Sequence, residues 1–352
     1  MTKPTTRAER VIPARILIAG FGSIGKRHAR LIRAMLPEVE LAVLRHQQTT
    51  EPLAAGMDHC FTSLEQALAF QPQAAVIANP SSHHLPVALA LAEAGVHLLI
   101  EKPIASSAEG VRDLIDICRK QQLVLMTAYN LRFMPSLLRF RELLQSKVVG
   151  AILNVRAEVG QYLPEWRPGT DYRTSVSARA ELGGGVLLEL SHELDYLRWL
   201  FGEVQWVSAV LRTQSKLEIN VEDMAGLTLG LKGNDGSKEL IASLNLDCFR
   251  RDTTRTCTVI GDAGTMRWNA ISGQVELFRS RETGWENLYS QGPMADESYK
   301  AQWQHFMQCM AGKAVPAVSG EDAPATLLVI EAARRSSAMR ATVTPAMRIT
   351  NL

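Results

Sequence analysis

A short apolar run, RILIAG (Arg15–Gly20), leads straight into Gly20-Phe-Gly22-Ser-Ile-Gly25 and from there into an amphipathic stretch that reaches Met35. A strand that ends in G-x-G-x-x-G and opens a helix admits few folds. The first glycine allows the tight turn, the second lets backbone amides approach a pyrophosphate, and the third lets the helix pack on the strand. The helix N-terminus adds partial positive charge. The motif in this position predicts a dinucleotide-binding βαβ unit.

The following hundred residues keep the same alternation. VELAVLR, AAVIAN, VHLLIEKP and QLVLMTAY read as short buried strands, separated by helices expected over Ser63–Ala69, Pro86–Ala94 and Ala108–Lys120. Continuous apolar strands that return after each helix indicate a parallel sheet covered on both faces, a doubly wound α/β domain over residues 15–128. After about Gly150 the period changes. AILNVRAEVG, VQWVSAVLRT, DMAGLTLGLK, KELIASLNLD and RTCTVIGDAGTMRW alternate as strands of an antiparallel sheet do, several joined by short turns such as Lys232 to Ser237. Residues 129–352 are therefore expected to form a second, α+β domain, interrupted by one helix that starts after Gly183-Gly184-Gly185 and runs to about Phe201.

Several residues outside the glycine loop carry chemistry. The second strand ends Leu44-Arg45-His46, without the carboxylate that holds an NAD ribose, so Arg45 tilts the expectation from NAD toward NADP. Glu101-Lys102-Pro103 ends an apolar strand at the carboxyl edge of the sheet, where open α/β sheets bind ligands. There the Lys102 ammonium could reach a substrate oxygen and Glu101 could orient it. On the helix after the triple glycine, Leu187, Leu190, Leu194, Leu197 and Phe201 make one apolar stripe, and Glu189, His192, Glu193 and Tyr196 the opposite side. Glu189 and His192, three apart, are spaced to meet for proton transfer, although a polar helix side is more often simply solvated.

Composition narrows the partners. Of 352 residues, 46% are apolar and 21% charged, which suits a globular chain with a large core. The 38 basic and 36 acidic residues are dispersed, so nucleic acid is a poor expectation. Five scattered cysteines show no metal-ligand spacing and fit a reduced cytoplasm. No apolar run reaches the roughly 18 to 20 residues that span a bilayer, and residues 1–14 read as a tail, not a signal peptide.

Taken together the motifs resemble the Gfo/Idh/MocA family of NAD(P)-dependent sugar and polyol oxidoreductases. GFGSIGKRHARLI is similar to that family's nucleotide loop, Asn79-Pro80-Ser-Ser-His-His84 to its TPNxxH loop, and Glu101-Lys102-Pro103 to its EKP signature. YNLRFMP resembles its entry into the second domain, GGGVLLELSHELDYLRWLFG its DxxxH helix, and PAVSGEDA its closing segment. The resemblance implies a Rossmann domain followed by a large, mostly antiparallel open sheet. It implies dinucleotide contacts from Gly20, Gly22, Ser23, Ile24 and Gly25, with Arg45, Asn79, Pro80 and His84 at the ribose and nicotinamide ends and Glu101 and Lys102 beside the nicotinamide.

It also implies catalysis by Lys102 and His192. Where the family has an Asp four residues before the His, this chain has Glu189 three before it, so either Glu189 or Asp195 supports His192. Residues 161–173 would be a loop near the cleft, with Tyr162, Trp166, Arg167, Tyr172 and Arg173 suited to a sugar ring and an anionic group. This loop resembles the form found in members that act on nucleotide-linked or acidic sugars. No metal is implied, and self-association as a dimer or tetramer through the second domain's sheet is. The expected function is hydride transfer between nicotinamide and a carbinol carbon of a sugar, nucleotide sugar or cyclitol. A non-catalytic dinucleotide sensor and an NAD-dependent glycoside hydrolase of the same fold are the rival readings.

Overall fold

A computed structural model of the protein describes residues 13–45, 56–233, 238–280, 283–292 and 296–346. Most of the expected tail, together with His46 and residues 234–237 of the expected turn, lies outside the described residues. The described chain divides into two compact units. One comprises residues up to Ala128 together with Tyr299–Pro324, and the other Tyr129–Ser298 with the residues from Ala325 on.

The first unit is built on six parallel strands: β1 (Arg15–Ala19), β2 (Glu40–Leu44), β3 (His59–Phe61), β4 (Ala74–Ile77), β5 (His97–Glu101) and β6 (Leu125–Ala128). They lie in the order β3-β2-β1-β4-β5-β6, and every pair is parallel. This is the doubly wound order expected of a dinucleotide fold, whose chain reverses direction between β1 and β4. Helices α1 (Ser23–Met35), α2 (Leu64–Ala69), α3 (His84–Glu93) and α4 (Val111–Lys120) connect the strands. Ile16, Leu17 and Ile18 are all fully buried, as the unbroken apolar run requires of a strand covered on both faces.

The second unit begins with α5 (Pro135–Gln145), whose proline stands in the first turn, where its missing N–H costs nothing. Next come β7 (Ile152–Gly160), a short α6 (Val186–Glu189), α7 (His192–Phe201), and the strands β8 (Val204–Arg212), β9 (Met224–Leu231), β10 (Leu240–Asp247), β11 (Thr254–Gly261), β12 (Gly264–Asn269), β13 (Gln274–Arg279) and β14 (Glu286–Ser290). They form an eight-stranded sheet in the order β14-β13-β12-β11-β7-β10-β9-β8. Every neighbouring pair is antiparallel except β7 and β10. The run RTCTVIGDAGTMRW, read as one strand, is a hairpin that turns at Asp262-Ala263.

The chain then returns. Helix α8 (Glu297–Met310) carries Trp303, Phe306 and Met310 into the core of the first unit, among Ile16, Leu41, Val76 and Leu99. Gly320 follows closely enough that a Cβ there would crowd Leu125 and Ile115, and Ser319 bridges to Met126. The final α9 (Ala323–Met339) belongs mostly to the second unit.

The helix expected after Gly183-Gly184-Gly185 and up to Phe201 is two helices. Leu190 leaves helical geometry at φ −104° and ψ 27°, and α7 starts only at His192. Nor is its polar side solvated. Glu193 and Tyr196 are fully buried, Glu193 forming an ion pair with Arg255 (Oε1 to Nε 2.8 Å) and Tyr196 packing edge-on against Trp268 at 5.5 Å. A helix covered all round must bury its polar residues with partners.

Candidate functional site

In the first unit the glycine loop has the shape its sequence predicts. Gly20 adopts φ +96°, open to glycine and strained for any other residue, and a Cβ there would collide with the Asn79 backbone nitrogen. A Cβ on Gly25 would strike the Gly20 carbonyl oxygen, which is the close helix–strand packing the third glycine permits. Gly22 differs from both. It has an ordinary φ of −71°, and a Cβ there would meet nothing within 4 Å, so the loop is open on that side. Gly22 is also the N-cap of α1, with no side-chain cap and no acid in the first turn. The first N–H groups of the 13-residue helix have no partner within it, and its positive end lies at Gly22, followed by exposed Ser23. An anionic pyrophosphate fits this arrangement.

Other expected cofactor residues surround the loop. Arg45 directly follows β2, its N–H donates to the Phe61 carbonyl at 3.0 Å, and its guanidinium stands 5.9 Å from the ring of Phe21 inside the glycine motif. Past β4, Asn79 Nδ2 donates to the His83 carbonyl at 3.1 Å and Pro80 starts the turn Ser81–His83. His84 is buried with one ring nitrogen 2.8 Å from the Asn79 carbonyl oxygen and the other 3.0 Å from that of Pro103, which ties the two loops together. Burial pushes the His84 imidazole below its ordinary range, outweighing the carbonyls that favour its cation.

At the end of β5, Lys102 joins Pro103 through a cis peptide bond. Glu101 is buried behind it. Its Oε2 accepts the Lys102 backbone N–H at 3.3 Å, and its Oε1 lies 2.7 Å from His28 Nε2. His28 is fully buried in α1, and its Nδ1 is 2.8 Å from Trp303 Nε1. Neither His28 nor Trp303 was singled out from the sequence. His28 does sit three residues after Gly25, on the helix that the motif opens.

In the second unit, Trp166, Arg167 and Tyr172 line one small pocket with Ser175 and Ser177. Trp166 is anchored by its Nε1 donating to the Gln161 carbonyl at 2.9 Å, and the Tyr172 hydroxyl accepts from the Glu218 N–H at 3.2 Å. Tyr162 is instead covered by the Arg251 guanidinium, 3.5 Å from its ring centroid. Arg173 is clasped by Asp171, Nε and Nη2 donating at 2.9 Å each, so its guanidinium already has a carboxylate. Ser177 links pocket to helix. Its hydroxyl donates to Glu189 Oε2 at 3.0 Å, which brings that carboxylate to the pocket wall.

His192 opens α7 with only 9% of its surface exposed, edge-on to the Tyr129 ring at 5.5 Å. The Tyr129 hydroxyl donates to Ser191 Oγ at 3.3 Å, and burial raises its pKa well above the tyrosine range, so it serves as a donor and not as a base. Asp195 accepts from Arg132 Nε at 2.9 Å and Nη2 at 2.7 Å. Of the two carboxylates considered for His192, Asp195 thus engages Arg132 and Glu189 engages Ser177. Among the described residues no group of three or more His, Cys, Asp or Glu side chains could hold a metal ion, and no helix is long and apolar enough to cross a membrane.

A family model described as an oxidoreductase-family NAD-binding Rossmann fold matches residues 14–129, and one for the same family's C-terminal alpha/beta domain matches residues 141–344. The chain belongs to the Gfo/Idh/MocA oxidoreductase family. Among relatives in this family, levoglucosan dehydrogenase of Pseudarthrobacter phenanthrenivorans is 32% identical over 167 residues, 46% of this chain and 42% of that protein. The alignment with that relative therefore spans less than half its length. Inositol 2-dehydrogenase of Rhizobium meliloti is 25% identical over 335 residues, 91% of this chain and 96% of that protein. Among solved structures, levoglucosan dehydrogenase in complex with NADH superposes with a TM-score of 0.81 at 21% identity, covering 94% of this chain and 99% of that one. That likeness is one of fold.

Proposed function

We propose that this member of the Gfo/Idh/MocA family is a nicotinamide-dinucleotide-dependent dehydrogenase that acts on a CH–OH group of a sugar or cyclitol. The open, acid-free start of α1 at Gly22 carries the reading, because it offers backbone N–H groups and helix charge to a pyrophosphate with no side chain in the way. The named relatives, a levoglucosan and an inositol dehydrogenase, point the substrate toward cyclic polyhydroxy compounds. Trp166, Arg167 and Tyr172 suit such a ring, with an apolar face and hydrogen-bonding edges.

When bound, the dinucleotide supplies the hydride chemistry. The chain's residues supply position and a proton path. In the oxidative direction His192 takes the hydroxyl proton, Lys102 stabilises the developing negative charge on that oxygen, and Glu189, held by Ser177, is the carboxylate we favour for orienting the imidazole. Asp195 is less suited, since the Arg132 guanidinium engages both its oxygens. Arg45, beside Phe21 at the end of β2, where no carboxylate stands, favours a 2′-phosphate and hence NADP over NAD. Self-association through the large sheet belongs to the same proposal and is read by sedimentation.

The test is a calorimetric titration with NAD and NADP, followed by a screen of sugars, cyclitols and nucleotide sugars for reduced cofactor. Binding of one dinucleotide with turnover of a polyhydroxy substrate is the expected result. Dinucleotide binding with no turnover of any class would favour a sensor role, and glycoside cleavage without net cofactor reduction would favour a hydrolase.

A further inference from the structure

The buried row Trp303, His28, Glu101 has only one consistent arrangement of protons. An indole Nε1–H can only donate, so at 2.8 Å it makes His28 Nδ1 an acceptor. The imidazole proton is then on Nε2, which donates to Glu101 Oε1 at 2.7 Å, while Glu101 Oε2 accepts the Lys102 N–H at 3.3 Å. All of this is enclosed, with His28 and Trp303 both 0% exposed and Glu101 8%. Tyr299 and Trp303 pack edge-on to the His28 ring at 5.9 and 6.0 Å, which leaves it little freedom to turn.

We propose that Trp303, His28 and Glu101 form a directional relay that positions Lys102 and couples it to the helix whose N-terminus receives the dinucleotide. His28 lies on α1 in the second turn after the glycine loop, and Glu101 is the last residue of β5. A displacement of α1 when an anion docks at its N-terminus is therefore passed to the Lys102 backbone through the carboxylate of Glu101 and two hydrogen bonds, the first of them from His28. Trp303 fixes which way that first bond points. It arrives on α8, from a chain segment 275 residues downstream of His28. The three are positioning residues, since none is placed against substrate. The functional part of the proposal rests on the reading of Lys102 as the group that stabilises the reacting oxygen.

The test reads the relay apart from the reaction. In protein labelled with ¹⁵N-histidine, the His28 resonances are expected to report the Nε2–H tautomer. Trp303→Phe keeps an aromatic ring but removes the donor, and is expected to add the Nδ1–H form. His28→Gln presents an amide nitrogen to Glu101 and an amide oxygen to Trp303, whereas His28→Leu presents neither. Trp303→Phe and His28→Leu are expected to lower kcat about tenfold or more, as misplacement of a reacting group does, with dinucleotide affinity changed less than about threefold. His28→Gln is expected to restore most of kcat. A His28 proton found on Nδ1 in the native protein, or native kcat in both Trp303→Phe and His28→Leu, would overturn the relay. Failure of the native protein to bind any dinucleotide would instead count against the proposed function, and the tautomer measurement would still decide the relay.

Discussion

Arg132 holds Asp195 by two parallel hydrogen bonds, Nε to Oδ2 at 2.9 Å and Nη2 to Oδ1 at 2.7 Å, with the two side chains 6% and 1% exposed. A buried pair of this geometry sets the position of α7, because Asp195 lies one turn after His192 and Arg132 lies in the segment Asn130–Phe133 that leads into α5. Asp195→Asn leaves a buried guanidinium without its counter-charge, and removing one partner of a buried pair costs about 3 to 5 kcal/mol. The variant should melt well below the native protein. Glu189→Gln, at a half-buried site with a hydroxyl donor, should cost about 1 kcal/mol. Thermal unfolding of both variants beside their kcat separates the roles. Native melting with lost turnover in Asp195→Asn would move that carboxylate from the fold to the reaction.

The three glycines of the loop should respond differently to substitution. At Gly22 the backbone suits any residue and a Cβ meets nothing, so Gly22→Val should fold and lose dinucleotide binding through the branch it pushes into the pyrophosphate path. Gly25→Ala should instead damage the fold, since its Cβ strikes the Gly20 carbonyl. Circular dichroism with cofactor fluorescence distinguishes the two, and tight binding by Gly22→Val would remove the loop from the cofactor site.

Under the proposed function the choice of cofactor turns on Arg45. Arg45→Ala should weaken NADP by about 1.5 to 3 kcal/mol, the scale of a hydrogen bond to a charged group, and spare NAD. Calorimetry with both dinucleotides reads this directly, and tighter native binding of NAD would reverse the preference.

Burial of His84 should give the first unit a pH dependence on the acid side. Its buried imidazole binds a proton less readily than it would in the unfolded chain, where the pKa is about 6.5. The stability it contributes is therefore complete above that value and is lost as pH falls below it. His84→Asn should flatten the acid side of the unfolding curve relative to native protein. An unchanged slope between about pH 6.5 and 5 would mean that the ring takes up its second proton within the fold.

How far these features could be read in advance depended on the range of the interactions. The strand, glycine loop and helix from Arg15 to Met35 are set by neighbours in sequence, and the parallel order follows from the repeated alternation. The return of α8 was not legible, because the partner of Trp303 is 275 residues away and nothing local marks it. The same holds for α7. Leu194, Leu197 and Phe201 are buried on it as expected, but Glu193 and Tyr196 read as a solvated side until β11 and β12 bring Arg255 and Trp268 over them. Periodicity assigns one buried face to a helix, and a helix enclosed on every side escapes it.

Catalysis supplies the last test, and it separates His192 from Lys102. In the proposed roles of general base and electrostatic partner, each should lose about two orders of magnitude or more in kcat on substitution by Ala. His192→Ala should leave dinucleotide affinity almost unchanged, since a general base acts on the proton transfer and not on holding the cofactor. Lys102→Ala should weaken the cofactor as well, because Lys102 adjoins Pro103, whose carbonyl is bound to the same His84 that holds Asn79. Only an imidazole without its second proton can accept another, so the oxidative rate should rise with pH in native enzyme and lose that rise in His192→Ala. The Lys102→Ala profile should keep the rise at a lower plateau. Near-native turnover by His192→Ala would pass the proton-transfer role to Lys102, and the pH rise would then have to vanish in Lys102→Ala instead.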